Sequence, residues 1–193
     1  MEDRFATFLR SIMGGVLIAL GGTCYLSVDN KILGAFLFSM GLLSICCTGQ
    51  YLFTGKCSYE SDIRFLLMIL LGNVIGSCGM GIIIHALLPG VVPRAVDMCQ
   101  TKMAESFRLI PLGIFCNILI YFAVEGYKNG QTILLIMCVM AFILCGFEHC
   151  VANMFYFSVA FQFSLMNILW LIVNVLSNWI GGLLILLSRK RVC

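Results

Sequence analysis

The most informative stretch of this sequence is residues 146–155, GFEHCVANMF. It lies inside a long apolar run between Gln131 and Phe163. Glu148 is the only acid, and His149 the only histidine, set deep within an apolar stretch of the chain. Ionisable side chains at membrane depth are costly, so they indicate a functional site by default. A second interpretation, in which this pair only caps or packs a helix end, stays open until the rest of the chain is considered.

The composition indicates that the solvent of this chain is a lipid bilayer. Of the 193 residues, 61% are hydrophobic and 11% are charged, whereas a soluble domain carries roughly 25% charged residues. A soluble core could not hide this much apolar surface. The formal net charge of +3 is too small and too dispersed for a nucleic-acid partner. We therefore expect an all-α membrane protein.

The eleven cysteines do not form a metal-binding or disulfide pattern. The sequence has no CxxC motif, and most of the cysteines stand within apolar runs, where a thiol behaves as a small hydrophobic side chain. We expect no disulfide framework, no metal site and no cofactor.

Six apolar spans are predicted within a single transmembrane domain over residues 1–193. Their approximate limits are 8–28, 32–54, 65–88, 107–124, 131–163 and 165–187, and the longest connecting loop is predicted at 89–106. The second span ends in TGQYLFTGK, residues 48–56, which fits an unbroken lipid-facing helix poorly. Irregular backbone at membrane depth is tolerated only where it is buried or lines a cavity. Either this helix is broken there or it ends at Gly49.

The basic residues indicate which side of the membrane each end occupies. Six spans place both termini on one side, and that side would carry eight basic residues against four on the other. We expect the protein in the inner or plasma membrane of a cell. By the positive-inside rule both termini are then expected in the cytoplasm. The eight are Arg4, Arg10, Lys56, Arg64, Lys128, Arg189, Lys190 and Arg191, and the four are Lys31, Arg94, Lys102 and Arg108.

The two halves of the chain resemble each other. LGNVIG at 71–76 parallels LSNWIG at 176–181, 105 residues later. Gly49 and Gly146 precede the two anomalous segments, 97 residues apart, and Gly15 and Gly113 open the first and fourth spans, 98 residues apart. We therefore expect two repeats, at about 8–88 and 107–188.

A repeat of three spans enters the membrane from the opposite face in its second copy, which is the inverted arrangement of many transport proteins. Interrupted helices at matching positions in the two halves then point to a substrate path. Here the interruptions are in the second and fifth helices, at 48–56 and 146–155. This favours a functional role for His149.

At these segments the chain resembles the formate/nitrite transporter family over nearly its whole length. The matching residues are GFEHCVANM at 146–154, LFTG at 52–55, GIFCN at 113–117 and GNVIG at 72–76. The resemblance implies an aquaporin-like protomer of six helices, a homopentamer with one pore per protomer, and passage of formate, nitrite or hydrosulfide.

The resemblance also implies a set of pore residues. His149 and Thr54 would face the anion between two hydrophobic constrictions, Lys102 would stand in the outer vestibule, and Glu148 and Asn153 would support the site. The outer constriction would be formed by Phe38 and Phe142, and the inner one by Leu42, Leu52, Phe53, Asn117 and Ile120. The chain departs from the family pattern in its shorter length and in Lys56, where an asparagine is common.

Physical chemistry suggests how such a pore lowers the desolvation cost of an anion. Helix N-termini attract it, lysines concentrate it, and an imidazole donates a hydrogen bond or a proton to it. Glu148 is expected to point away from the pore and to anchor backbone or subunit contacts, because an isolated carboxylate would repel the substrate. Which anion is physiological, and whether a proton accompanies it, stay open.

Other classes of protein are disfavoured by missing motifs. An aquaporin-type channel for small neutral solutes, the main alternative, would carry paired Asn-Pro-Ala triplets, and this chain has none. An intramembrane enzyme would carry CxxC, G-x-S-x-G or H-E-x-x-H, and none of these occurs. We therefore do not expect an enzyme. A purely structural membrane protein stays open on sequence alone.

Overall fold

The computed structural model describes residues 4–190, and over that range the chain is helical and contains no strand. Arg191, one of the basic residues counted above, lies outside the described residues. Two short 3₁₀ turns, Pro89–Val91 and Ser106–Arg108, flank α5. The α-helices are α1 (Arg4–Ser27), α2 (Lys31–Thr48), α3 (Phe53–Lys56), α4 (Ile63–Leu87), α5 (Val92–Ala104), α6 (Leu109–Lys128), α7 (Thr132–Leu144), α8 (Cys150–Val159) and α9 (Leu165–Lys190).

The apolar helices have the lengths that a bilayer requires. Among the described helices, five are long and apolar enough to cross a membrane, namely α1, α2, α4, α9 and the segment Ser106–Lys128. Helices α7 and α8 are apolar but shorter, and they follow each other across the interruption at 145–149. The all-α membrane fold predicted from the composition is confirmed.

Both predicted interruptions are present, and a glycine makes the turn at each. Helix α2 ends at Gly49, with φ 67°, and the turn after α7 contains Gly146, with φ 68°. Residues with a Cβ rarely adopt this left-handed backbone conformation, whereas glycine does so freely. A Cβ at either position would meet nothing within 4 Å. The glycines are therefore required by backbone conformation and not by crowding.

After Gly49 the chain stays inside the protein instead of leaving the membrane. Tyr51, Leu52, Phe53 and Thr54 are all buried, and the backbone resumes a helix at Phe53. Of the two interpretations of this segment, the broken helix is correct.

Asn73 on α4 holds the first interruption together. Its Oδ1 accepts a hydrogen bond from Phe53 N at 2.8 Å, and its Nδ2 donates to Tyr51 O at 2.9 Å and to Ser11 O at 2.7 Å. The side chain is fully buried. It therefore replaces helical partners that the irregular backbone has lost.

Asn178 on α9 holds the second interruption by the same three kinds of bond. Its Oδ1 accepts from Cys150 N at 2.9 Å, and its Nδ2 donates to Glu148 O at 2.8 Å and to Gly113 O at 2.9 Å. Gly113 in the second half therefore corresponds to Ser11 in the first half. The sequence match had instead aligned Gly113 with Gly15, one helical turn further along the chain. The pattern of bonds is the same in the two halves once Gly113 is aligned with Ser11.

Glycines let the helices around these asparagines approach closely. A Cβ on Gly76 would lie 2.0 Å from Ile12 O of α1, and a Cβ on Gly181 would lie 2.6 Å from Ile114 O of α6. Small residues at such contacts are typical of membrane helix packing. Close helix approach at the LGNVIG and LSNWIG segments is therefore present in both halves.

The connector at 89–106, interpreted from the sequence as a long loop, is largely helical. Helix α5 buries Ala95 and Cys99, which are four residues apart and therefore share one face. Arg94 fastens it to the end of α1, donating from Nη1 to Leu26 O at 3.0 Å and from Nη2 to Val28 O at 2.6 Å. The helix packs against α8, which places it over the site described next.

Candidate functional site

His149 and Thr54 meet at the centre of the fold. Thr54 lies in α3, His149 is the N-cap of α8, and 3.0 Å separates Thr54 Oγ1 from His149 Nε2. Both side chains are buried, with exposed fractions of 0% and 2%. The two interrupted helices therefore bring together the two polar residues that the sequence assigned to the centre of a pore.

The hydrogen bonds of the imidazole indicate its tautomer. The N–H of Ala152 donates to His149 Nδ1 at 3.1 Å, so Nδ1 presents a lone pair. In the neutral ring the proton then lies on Nε2, which donates to the Thr54 hydroxyl. This leaves the hydroxyl proton of Thr54 able to donate to another group.

Two aromatic rings close the site on one side. The ring of Phe142 stacks on the imidazole of His149, with 5.8 Å between centroids and 17° between planes. The ring of Phe38 meets Phe142 edge-on, with centroids 5.9 Å apart. Both phenylalanines are buried, so two apolar rings stand beside the imidazole; their role as a constriction stays a prediction.

A cavity of about 510 Å3 opens toward these rings. We call it the α5 cavity, because Met98, Thr101 and Lys102 of that helix line it. Phe142 and His149 form part of its wall. The cavity therefore leads from the protein surface to the imidazole.

A second cavity, of about 330 Å3, lies at the other end of the protein. We call it the α6 cavity, because it is lined by Val124, Tyr127 and Lys128 at the end of that helix. Leu42 and Leu52 also line it. Lys31 at the start of α2 lines the α5 cavity, whereas the last turns of α2 line the α6 cavity, so the two openings lie about 20–27 Å apart along this helix.

Two of the other predicted constriction residues are buried in the core. Phe53 and Ile120 are 3% and 1% exposed, and within residues 4–190 neither lines either cavity. Phe142 and His149 thus line the α5 cavity, Leu42 and Leu52 line the α6 cavity, and Thr54 lies beside His149.

Glu148 does not point away from this route, so that expectation is wrong. Its side chain lines the α5 cavity, and its Oε2 accepts from Lys102 Nζ at 2.6 Å and from Asn153 Nδ2 at 2.8 Å. The residue precedes α8 in non-helical backbone, so helical spacing does not separate it from His149. Its charge is paired, which removes the repulsion that the sequence argument relied on.

A family model for formate/nitrite transporters matches residues 2–188 of the chain. This protein belongs to the formate/nitrite transporter family. The membership agrees with the family resemblance inferred from the sequence motifs.

Several characterised members of the formate/nitrite transporter family are similar to this chain. It is 29% identical to the formate channel FocA of Haemophilus influenzae over 188 residues, covering 78% of this chain and 65% of that protein. It is 27% identical to the formate channel FocB of Escherichia coli, covering 80% and 66%. The formate-nitrite transporter of Plasmodium falciparum is 24% identical, with 92% and 74% covered. The chain thus spans just under two thirds of the length of the first two relatives.

Solved structures of similar proteins have the same fold. A pentameric formate channel with formate bound superposes with a TM-score of 0.83 at 25% identity, covering 98% of this chain and 96% of that chain. An ion channel of the formate/nitrite transporter family superposes with a TM-score of 0.88 at 21% identity, covering 99% and 91%. These relatives are channels and transporters, and this family member is a multi-pass membrane protein.

Asn117, placed by the resemblance in the inner constriction, supports Thr54 in this family member. With its amide turned so that both ends are satisfied, Nδ2 donates to Thr54 O at 3.0 Å and Oδ1 accepts from Gly182 N at 3.1 Å. The side chain is fully buried. It therefore fixes the backbone of α3 to α9 behind the Thr54 hydroxyl.

The sequence reasoning missed Asn174 and the buried network that it completes. Asn174 Nδ2 donates to Glu148 O at 2.9 Å, and its Oδ1 accepts from Asn153 Nδ2 at 2.7 Å. The available signal was the spacing of Asn174 and Asn178, four residues apart within an apolar helix. Polar groups at that spacing share one helix face, and in a membrane such a face points to the protein interior.

Proposed function

We propose that this chain forms a membrane channel or transporter for small monovalent anions: formate, nitrite or hydrosulfide. The observation that carries the proposal is the buried His149–Thr54 pair, whose imidazole stacks on Phe142 in the wall of the α5 cavity, in a member of this family. The route would run from the α5 cavity past this pair to the α6 cavity. Formate channels among its relatives support the same class of substrate.

The central site would lower the cost of taking an anion out of water. The N-terminus of α8 places its partial positive charge at the position of His149. The Nε2–H group of His149 and the hydroxyl of Thr54 supply directed hydrogen-bond donors. Phe142 and Leu42 exclude bulk water, which strengthens these interactions.

Proton coupling is the finer hypothesis. An imidazolium that has taken up one proton from solution would transfer it to formate, and neutral formic acid would cross the apolar barrier. In that form Nδ1 carries a proton and cannot accept the bond from Ala152 N–H. The capping bond therefore opposes protonation, and it favours hydrogen-bond donation by the neutral ring as the resting arrangement.

Lys102 would concentrate anions at the mouth of the route. It lines the α5 cavity, and its ammonium group is bonded to Glu148. An ammonium has three donors, so the pair can hold the lysine in place while donors remain for an anion. Glu148 and Asn153 would act as positioning residues for it.

The architecture would consist of two inverted repeats in one transmembrane domain, with six spans and both termini in the cytoplasm. The matched bonds of Asn73 and Asn178 support the repeat. The pentameric assembly of a similar formate channel supports a homopentamer for this chain. The α5 cavity would then face the outside of the cell.

The test is flux through purified protein in liposomes. Formate, nitrite and hydrosulfide uptake would each be compared with water and glycerol permeation, using protein-free liposomes as the control. Uptake of at least one anion without glycerol permeation supports the proposal. Glycerol permeation with no anion uptake would favour the neutral-solute alternative, which family membership disfavours.

A further inference from the structure

One face of α8 carries a row of residues from the central site toward the mouth of the α5 cavity. His149, Ala152, Asn153 and Tyr156 all line this cavity, and their spacings of three, four and seven residues place them on one helix face. Seven residues correspond to about 10 Å along the helix. Tyr156 is therefore the member of this row that lies farthest from His149 along α8.

The hydroxyl of Tyr156 differs from the other polar groups of this row. His149 and Asn153 are hydrogen-bonded to neighbouring protein groups. Within the part of the chain that the structure describes, nothing hydrogen-bonds to the Tyr156 hydroxyl, although the side chain is only 4% exposed. Buried hydroxyl groups are normally paired, so one that is not paired in the wall of a cavity indicates a ligand.

The position of the ring is fixed by packing. The ring of Tyr156 lies 5.5 Å from that of Phe155, and a Cβ on Gly22 of α1 would come within 3.3 Å of its Cε1. The fold therefore leaves room for a ring at this point. A phenylalanine would fill that room equally well, so packing alone gives no reason for the hydroxyl.

Lys102 supplies a second donor in the same cavity. Its Nζ is bonded to Glu148, and Lys102, Glu148 and Tyr156 all line the α5 cavity. An ammonium and a phenol hydroxyl in one cavity wall are both donors toward an anion. A ligand with two acceptor atoms could bond to both groups at once.

We propose that Tyr156 and Lys102 form a recognition site in the α5 cavity for anions with two acceptor oxygens, such as formate and nitrite. Hydrosulfide has a single acceptor atom and gains only one of the two bonds. This inference rests on the proposed function and narrows it to a substrate class. Tyr156 is the residue that determines this preference, and the sequence reasoning assigned it no role.

The test replaces the hydroxyl alone, in Tyr156→Phe, and measures the concentration dependence of uptake into liposomes. A lost hydrogen bond to a charged group corresponds to about a tenfold rise in KM. We expect that rise for formate and nitrite, and a smaller rise or none for hydrosulfide. Tyr121→Phe, a matched control at a tyrosine that lines neither cavity, leaves all three values unchanged.

The remaining outcomes distinguish a failure of this inference from a failure of the proposed function. If Tyr156→Phe takes up the anions with the KM values of wild type and unfolds at the same or a higher temperature, the hydroxyl is buried without binding the anion. An equal rise for all three anions would overturn the selectivity for two-oxygen anions. Wild-type protein that carries no anion overturns the proposed function, and this inference fails with it.

Discussion

The interruption before α8 depends on Asn178, so replacing this side chain tests the structural argument most sharply. In Asn178→Leu the size of the side chain is nearly kept, but Cys150 N–H loses its acceptor in a buried position. Glu148 O keeps one bond, from Asn174, while Gly113 O loses the bond from Asn178. An unsatisfied buried group costs about 1–3 kcal/mol and each lost bond about 0.5–1.5 kcal/mol, so we expect a loss of about 2–6 kcal/mol in unfolding free energy.

The assay is denaturant titration of the detergent-solubilised protein, followed by tryptophan fluorescence. Trp170 and Trp179 are the two tryptophans of the chain, and both lie on α9 beside the substituted position. Asn73→Leu should lose a similar amount, because Asn73 makes the corresponding bonds in the first half. Asn129→Leu, at an exposed helix end with one side-chain bond, is the control and should lose less than about 1 kcal/mol. An Asn178 variant as stable as this control would refute the role given to the asparagine.

Three further substitutions test other parts of the molecule. Phe142→Ala removes a buried ring that contacts His149. We expect a loss of about 3–5 kcal/mol in unfolding free energy and faster leakage of larger anions such as acetate. A variant that is as stable as wild type and excludes acetate equally well would contradict the barrier. Lys102→Gln should raise the KM for formate about three- to tenfold, since fixed charge increases the local anion concentration, and it should weaken the salt dependence of uptake. If wild type and variant give the same uptake curves at low salt and again at high salt, Lys102 does not concentrate the anion. The pKa of Tyr59 is raised by burial and then by its hydrogen bond to Glu125. Wild-type stability should therefore fall as the pH rises above about 10, the pKa of an unfolded tyrosine, and Tyr59→Phe should lack this loss. Parallel profiles of stability against pH for the two proteins would exclude the effect.

The fold was predictable because its main signals are compositional and local. Apolar runs mark the membrane helices, and Gly49 and Gly146 mark both interruptions, since each occupies a backbone conformation that suits glycine. The repeat of Asn73 and Asn178 was visible as a sequence match. Which backbone groups these asparagines bond is a property of tertiary contact, and no spacing along the chain could supply it.

The candidate site was predictable only as a set of residues. The motifs gave His149 and Thr54 together, and the structure brings their side chains to 3.0 Å. The direction of Glu148 was wrong because helical spacing was applied to a residue that precedes the helix. Tyr156 carried no signal, because an aromatic residue in an apolar helix ordinarily belongs to the core, and only the missing hydrogen bond distinguishes it.

Helix α5 was overlooked because its apolar face is narrow. Ala95 and Cys99 are its buried residues, and two small side chains give a weak periodic signal among charged neighbours. Proline near its start is common at helix N-termini, which was the available clue. The helix matters to function, because it carries Lys102 into the wall of the α5 cavity.

In the proposed function, His149 binds the anion at the centre of the route. The most direct measurement is formate, nitrite and hydrosulfide uptake in liposomes as a function of pH, for wild type and His149→Ala. His85→Ala is the matched control, because His85 is the only other histidine and bonds to Val159 O on the far end of α8. We predict that His149→Ala alone changes both the rate and the pH dependence of uptake. Unchanged rates and unchanged pH dependence for every anion would contradict the account.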